Sequence, residues 1–204
     1  MHVYTASITT TTILTPAVQN LNVKMSWTDN LYSYIIKINI NFIKSILYLT
    51  YNIIYNCGKK VKIIMKKIIF ATGNAGKMRE IRDIMADLVV ELLSMKEAGI
   101  KLDIVEDGKT FEENALIKAR AVSKEAPGAI VMADDSGLEV DYLHKKPGIY
   151  SARFIGEDIS YDIKNQAILD LLAGVPKEKR TARFVCSIAA VLPDGREFLT
   201  RETM

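Results

Sequence analysis

From Lys66 onward, the apolar residues of the chain recur at the spacings of strands and helices. The run from Lys66 to Ala71 is short and apolar, and it predicts a buried strand. Apolar residues at helical spacing follow it between 78 and 88, and a second helical pattern covers 111–126. A third predicted helix begins after Ser160, which is a suitable N-cap. Two apolar runs joined by Pro193-Asp194-Gly195 predict a hairpin that closes the sequence.

Residues 1–64 differ in composition from the rest. They contain six Lys and one Asp, whereas residues 65–204 contain 21 basic and 23 acidic residues. The apolar stretch 31–56 is long enough to cross a bilayer, but it carries Lys37, Lys44 and several Asn. Three interpretations follow: an upstream region translated ahead of a true start at Met65, a genuine extension, or a membrane anchor. We favour the first, and divide the chain into an atypical extension (1–64) and a folded domain (65–204).

The composition narrows the chemistry. With 49% apolar and 25% charged residues among 204, the chain is of ordinary globular type. The slightly acidic balance after residue 65 argues against binding to nucleic acid. Two Cys and two His give little basis for a disulfide framework, a zinc site or a His-based nucleophile, and they favour a cytoplasmic location. Catalysis is therefore expected to use carboxylates, lysines and a metal.

The segment 72–77, TGNAGK, joins the first strand to the first helix and is a candidate anion site. Backbone N–H groups and the positive end of a helix dipole would point at its ligand, and two glycines allow close approach. The alternative is an Asn-capped helix with an exposed Lys77. Met78 stands where a Walker A loop has Ser or Thr, so a metal bound to a polyphosphate must be held elsewhere.

Acidic residues supply candidate metal ligands. Asp134 and Asp135 follow the apolar run 129–133, and we expect them where a strand leaves the sheet. Two adjacent carboxylates repel, and a divalent cation would remove that conflict. The alternative is an Asp-rich turn. Glu106 lies in a second turn, just before the helix that Thr110 is expected to cap.

The sequence does not assign roles to Asn114, Lys118 and Arg153. Asn114 and Lys118 are four residues apart on one face of the helix predicted from Thr110. That face either meets solvent or lines a cleft and contacts phosphate. Arg153 follows a Pro-Gly turn and is expected on an extended segment.

Four stretches in this order, ATGNAGKMREI, EDGKTFEENALIKARA, ADDSGLEVDYL and PGIYSARF, resemble the inosine/xanthosine triphosphate pyrophosphatase family. The resemblance implies an α/β fold with an elongated mixed central sheet, flanking helices and a cleft between two lobes. It also implies a homodimer that uses Mg²⁺ to hydrolyse the purine nucleoside triphosphates ITP, dITP and XTP to the monophosphate and pyrophosphate.

The resemblance also assigns residues. Asp135 matches the family's proton acceptor and a metal ligand, Glu106 matches a second metal ligand, and Ser136 matches a substrate contact. The triphosphate loop corresponds to Thr72, Gly73, Asn74, Ala75, Gly76 and Lys77. The family's later motifs, resembling Phe-Gly-Tyr-Asp-Pro and Ser-His-Arg, do not occur before Met204, so we expect a chain truncated at its C-terminus. A second hypothesis is therefore an inactive nucleotide-binding fragment of such an enzyme.

Overall fold

The computed structural model describes residues 3–6, 40, 66–86, 88 and 90–204. Three α-helices lie within the described residues of 66–204: α1 (Ala75–Ile84), α2 (Phe111–Glu125) and α3 (Tyr161–Leu171). Short 3₁₀ helices cover Gly148–Arg153 and Lys177–Lys179. The strands are β1 (Val3–Ala6), β2 (Lys66–Phe70), β3 (Val90–Ser94), β4 (Ile130–Val140), β5 (Lys146–Pro147), β6 (Ala182–Val191) and β7 (Glu197–Thr203).

The strands form one mixed sheet in the order β1-β7-β6-β4-β2-β3, with β5 paired to β4. β2 runs parallel to both β3 and β4, whereas β6 runs antiparallel to both β4 and β7. β1 pairs in parallel with β7, so residues from the predicted extension lie beside the last strand. The mixed sheet with flanking helices confirms the predicted fold class.

The two faces of the sheet carry different helices because successive strand residues point to opposite faces. On one face, Met78 and Ile81 of α1 pack in a cluster with Ile68, Met132 and Ile188, to which the buried Ile40 also belongs. The opposite face meets α2 through small side chains, and a third cluster joins α3 to the distal half of β4. The α2 cluster contains Ala115, Ala119, Val122, Ile69, Val131, Ala133 and Ala189.

Most of the predicted elements are confirmed. Thr110 caps α2 by accepting from Glu113 N at 3.1 Å, and Ser160 caps α3. The hairpin of β6 and β7 is present around Pro193-Asp194-Gly195. No helix among the described residues is long and apolar enough to cross a membrane. The stretch 31–56, on which the anchor hypothesis rests, lies outside the described residues except for Ile40.

The prediction for Arg153 is wrong, since this residue ends the 3₁₀ helix Gly148–Arg153 instead of lying on an extended segment. The cause is Ser151, whose hydroxyl donates to Gly148 O at 2.6 Å and accepts from Leu138 N at 2.9 Å. These two hydrogen bonds close the turn and fix it against β4. A sequence pattern after Pro-Gly does not reveal this contact, because its partner lies on a distant strand.

Candidate active site

The site forms where β2 ends and β4 continues. β2 pairs with β4 only as far as Met132, and Ala71 N then donates to Met132 O at 2.7 Å. β4 extends to Val140 without β2 beside it. The loop that follows β2 therefore lies next to the middle of β4, where Asp134 and Asp135 are found.

Asn74 organises the candidate anion loop. Its Oδ1 accepts from Gly76 N at 2.8 Å and from Lys77 N at 3.1 Å, while Thr72 Oγ1 accepts from Asn74 N. The Asn-capped helix is thus confirmed, but Lys77 is not the exposed lysine of that alternative. Its Nζ lies 2.7 Å from Asp134 Oδ2, and only 28% of the side chain is exposed.

The ion pair of Lys77 and Asp134 is set inside the protein. Burial opposes the charge on Lys77, but Asp134 outweighs it, so the pKa of Lys77 lies above its ordinary value. Asp134 is buried, with 2% of its side chain exposed. Lys77 is therefore charged at the start of α1, and its charge is paired with the buried carboxylate of Asp134.

The expectation that Asp134 and Asp135 leave the sheet side by side is wrong. β4 continues through both residues, and its unbroken register with β6 pairs Asp134 with Ile188 and Asp135 with Ser187. Because strand side chains alternate, Asp134 faces α1 and Asp135 faces α2. Ser136 shares the α1 face with Asp134 and donates its backbone N–H to Asp135 Oδ1 at 3.0 Å.

Asp135 is held by α2. Asn114 Nδ2 donates to Asp135 Oδ2 at 3.0 Å, and Asn114 Oδ1 accepts from Gly108 N at 2.9 Å. Lys118 Nζ lies 2.7 Å from Glu106 Oε2 and 3.9 Å from Asp135 Oδ1. The turn before α2, the helix itself and β4 therefore meet at one polar cluster formed by Glu106, Asn114, Lys118 and Asp135.

This cluster decides between the two interpretations of the Asn114 face. Asn114 is only 1% exposed, so the face lines a protein interior rather than solvent. Sequence reasoning left its role open because a buried amide and an exposed one give the same helical spacing. The i, i+4 spacing did indicate that Asn114 and Lys118 share a face, and in the structure both lie near Asp135.

The surroundings of Asp135 move its pKa toward neutral pH. Burial raises its pKa to about 6, although Lys118 and the hydrogen bond from Asn114 favour the ionised form. Glu106 and Asp134 add smaller repulsions that act in the same direction as burial. A carboxylate with this pKa is ionised at pH 7 and still basic enough to accept a proton.

The residues present fit a magnesium ion that also binds substrate. Among the described residues, no group of three or more His, Cys, Asp and Glu could hold a metal by itself. Glu106 and Asp135 do converge on one cation, the ammonium of Lys118. Mg²⁺ is commonly held by one or two carboxylates together with substrate phosphates, which is the ligand set these two residues offer.

The predicted site residues therefore gather around one edge of the sheet, on two sides of β4. The loop 72–77 and Ser136 lie on the side of α1, and Glu106 and Asp135 lie on the side of α2. Beyond the end of β2, only the backbone of β4 separates the two groups.

Comparison with known proteins identifies the family. Residues 68–204 match the Ham1 family. The chain belongs to the Ham1 family. The dITP/XTP pyrophosphatase of Clostridium perfringens is 48% identical to it over 140 residues, covering 66% of this chain and 69% of that protein. The dITP/XTP pyrophosphatase of Caldanaerobacter subterraneus is 50% identical over 135 residues, covering 66% and 67%.

Solved Ham1 structures agree with the fold. The Ham1 protein of Staphylococcus aureus has a TM-score of 0.60 and 38% identity, with 68% of this chain and 70% of that chain covered. The HAM1 protein of Coxiella burnetii has a TM-score of 0.61 and 32% identity, with 68% and 71% covered. The family resemblance predicted from the four motifs is confirmed.

Proposed function

We propose that this Ham1 chain hydrolyses ITP, dITP and XTP to the nucleoside monophosphate and pyrophosphate. One observation carries the proposal: Asp135, with a pKa of about 6, lies at the same sheet edge as the Asn74-capped loop and its lysine. The related proteins named dITP/XTP pyrophosphatase support this substrate class. Those names do not favour the alternative of an inactive nucleotide-binding fragment.

The reaction needs a base and a way to stabilise the leaving group. Asp135 accepts a proton from water, the water oxygen bonds to the α-phosphorus, and the bond from that phosphorus to the α–β bridging oxygen breaks. The electron pair of the broken bond leaves with pyrophosphate. Lys77, at the N-terminus of α1, would stabilise the charge that develops there, aided by the helix dipole.

Magnesium is part of the proposal. Glu106 and Asp135 would hold the ion, which when bound neutralises charge on the triphosphate. In the structure, Lys118 already lies between these carboxylates. The ammonium of Lys118 is the cation that Glu106 and Asp135 now share, so a magnesium ion held by these carboxylates would take its place. We infer that Lys118 then turns from Glu106 toward phosphate.

The direct test is pyrophosphate release from ITP, dITP, XTP, GTP and ATP, with and without Mg²⁺. We expect turnover of the first three nucleotides with Mg²⁺, and its loss in Asp135→Asn with nucleotide binding retained. Asp158→Asn, which removes an exposed carboxylate, is the matched control and should keep full activity. Turnover by Asp135→Asn equal to that of the unmodified chain would refute the assignment.

We further propose that the protein is cytoplasmic and forms a homodimer. The scarcity of cysteine supports the location. The dimer is supported by large apolar side chains that remain exposed in the single chain, including Tyr150, Ile155, Tyr161, Ile163 and Leu171. Sedimentation velocity should give about twice the chain mass, and a monomer at micromolar concentration would contradict the dimer.

A further inference from the structure

Ser187 lies directly opposite Asp135 in the sheet. The two residues are register partners in the antiparallel pair of β4 and β6, so their side chains share the face under α2. Ser187 is completely buried, at 0% exposure. Its hydroxyl has no hydrogen-bond partner among the described residues.

The neighbours of Ser187 leave Asp135 as its natural acceptor. On the other side, the register partner of Ser187 is Arg201 of β7. Arg201 is a donor, and it is already committed to Glu112 at 3.0 Å and to Glu139 at 3.5 Å. The carboxylate in this cross-strand row belongs to Asp135.

The separation allows the contact. Side chains directly opposite each other in an antiparallel pair have Cβ atoms about 4.5–5.5 Å apart. A hydroxyl on one side and a carboxylate on the other can close that gap by rotation about their χ1 bonds. Asp135 Oδ2 is taken by Asn114, whereas Oδ1 has only the N–H of Ser136 and the more distant Lys118.

A purely structural role does not account for a serine at this position. A buried hydroxyl without a partner destabilises the fold, and alanine would remove that cost without adding atoms. The serine is therefore best explained by a state in which its hydroxyl is used. That state arises when Lys118 leaves the carboxylates and Asp135 needs another donor to hold its orientation.

We propose that Ser187 is a positioning residue that donates a hydrogen bond to the Asp135 carboxylate during turnover. This inference rests on the proposed function, in which Asp135 is the base. Ser187 itself is too buried to touch substrate. Its contribution is to keep one carboxylate oxygen aimed at water while the other stays with Asn114.

Two matched pairs of variants test the proposal. Ser187→Ala removes the hydroxyl and adds nothing. Ser187→Thr and Ser187→Val have the same shape and differ only in the hydroxyl, so any cost of crowding cancels between them. For each variant we would measure four quantities: kcat and KM for dITP, the affinity for Mn²⁺ as a probe of the carboxylates, and Tm.

We expect kcat of Ser187→Ala to be about tenfold below that of the unmodified chain, and kcat of Ser187→Val to be about tenfold below that of Ser187→Thr. A loss of this size is typical when a group that orients an active-site ligand is removed. KM should change little, and Mn²⁺ affinity should fall with kcat. Tm should rise in Ser187→Ala, and in Ser187→Val relative to Ser187→Thr, because the unpartnered buried hydroxyl is absent. The proposal is overturned if kcat is equal in all variants. It is also overturned if Ser187→Thr and Ser187→Val lose the same activity while Ser187→Ala keeps full activity. If the Thr and Val variants do not fold, the Ser and Ala pair decides alone. No turnover by the unmodified chain would instead refute the proposed function.

Discussion

Replacing Asp135 by Asn should stabilise the protein at neutral pH while removing its activity. Burial raises the pKa of Asp135 from 3.8 to about 6. A carboxyl with a higher pKa in the folded state holds its proton more tightly when folded, so the free energy of unfolding falls as the pH rises through this range. This difference in pKa lowers the free energy of unfolding by about 3 kcal/mol at pH 8. An Asn side chain does not ionise, so the variant does not lose this stability.

The assay is urea unfolding of the unmodified chain and Asp135→Asn at pH 5 and pH 8, with EDTA present so that no metal offsets the buried charge. Linkage with these pKa values predicts that the stability advantage of the variant grows by about 1.4 kcal/mol between the two pH values. Asp158→Asn, an exposed aspartate, controls for the loss of one carboxylate.

Two results would refute this reasoning. An advantage that stays constant from pH 5 to pH 8 would mean that burial does not oppose the charge of Asp135. A variant less stable than the unmodified chain at pH 8 would mean that the hydrogen bond from Asn114 and the charge of Lys118 outweigh desolvation. Either result would also remove the physical basis for a base that titrates near neutrality.

Three further predictions follow from the same contacts. Lys118→Met should move the acid limb of the kcat/KM profile, which reports the free enzyme, to higher pH, because the ammonium lowers the pKa of Asp135; Lys118→Arg should not, and an unmoved limb in the Met variant would show that this charge does not act there. Asn114→Ala should lower the free energy of unfolding by about 1–3 kcal/mol, measured in urea, since it leaves the half-buried Gly108 N–H unpaired; unchanged stability would contradict the bridge. Gly137→Ala should lower Tm, because a Cβ there would lie 2.4 Å from Gly148 O and 2.5 Å from Ser151 Oγ, and an unchanged Tm would show that the turn yields without cost.

The sequence predicts the structural features that depend on contacts between residues close together in the chain. The caps at Asn74, Thr110 and Ser160 and the Pro193-Asp194-Gly195 turn are local, and each is found in the structure. The apolar positions of α2 are likewise buried as their spacing predicts. These features follow from contacts over three or four residues.

What the sequence does not reveal depends on how far strands extend and what lies across them. The faces of Asp134 and Asp135 follow from β4 continuing to Val140, which a run ending in polar residues does not indicate. The pairing of Lys77 with Asp134 spans 57 positions. The burial of Asn114 likewise depends on β4, a strand that begins sixteen residues after it.

The seam between α2 and the sheet is built from alanines, with Ala115 and Ala119 on the helix and Ala133 and Ala189 on the strands. Small side chains let a helix approach closely, and any larger residue here would lift α2 away from β4. Asn114 and Lys118 would then be withdrawn from Asp135 together, and a displacement near 1 Å can cost about a hundredfold in rate. Mutations in this alanine seam should therefore slow the enzyme before they unfold it.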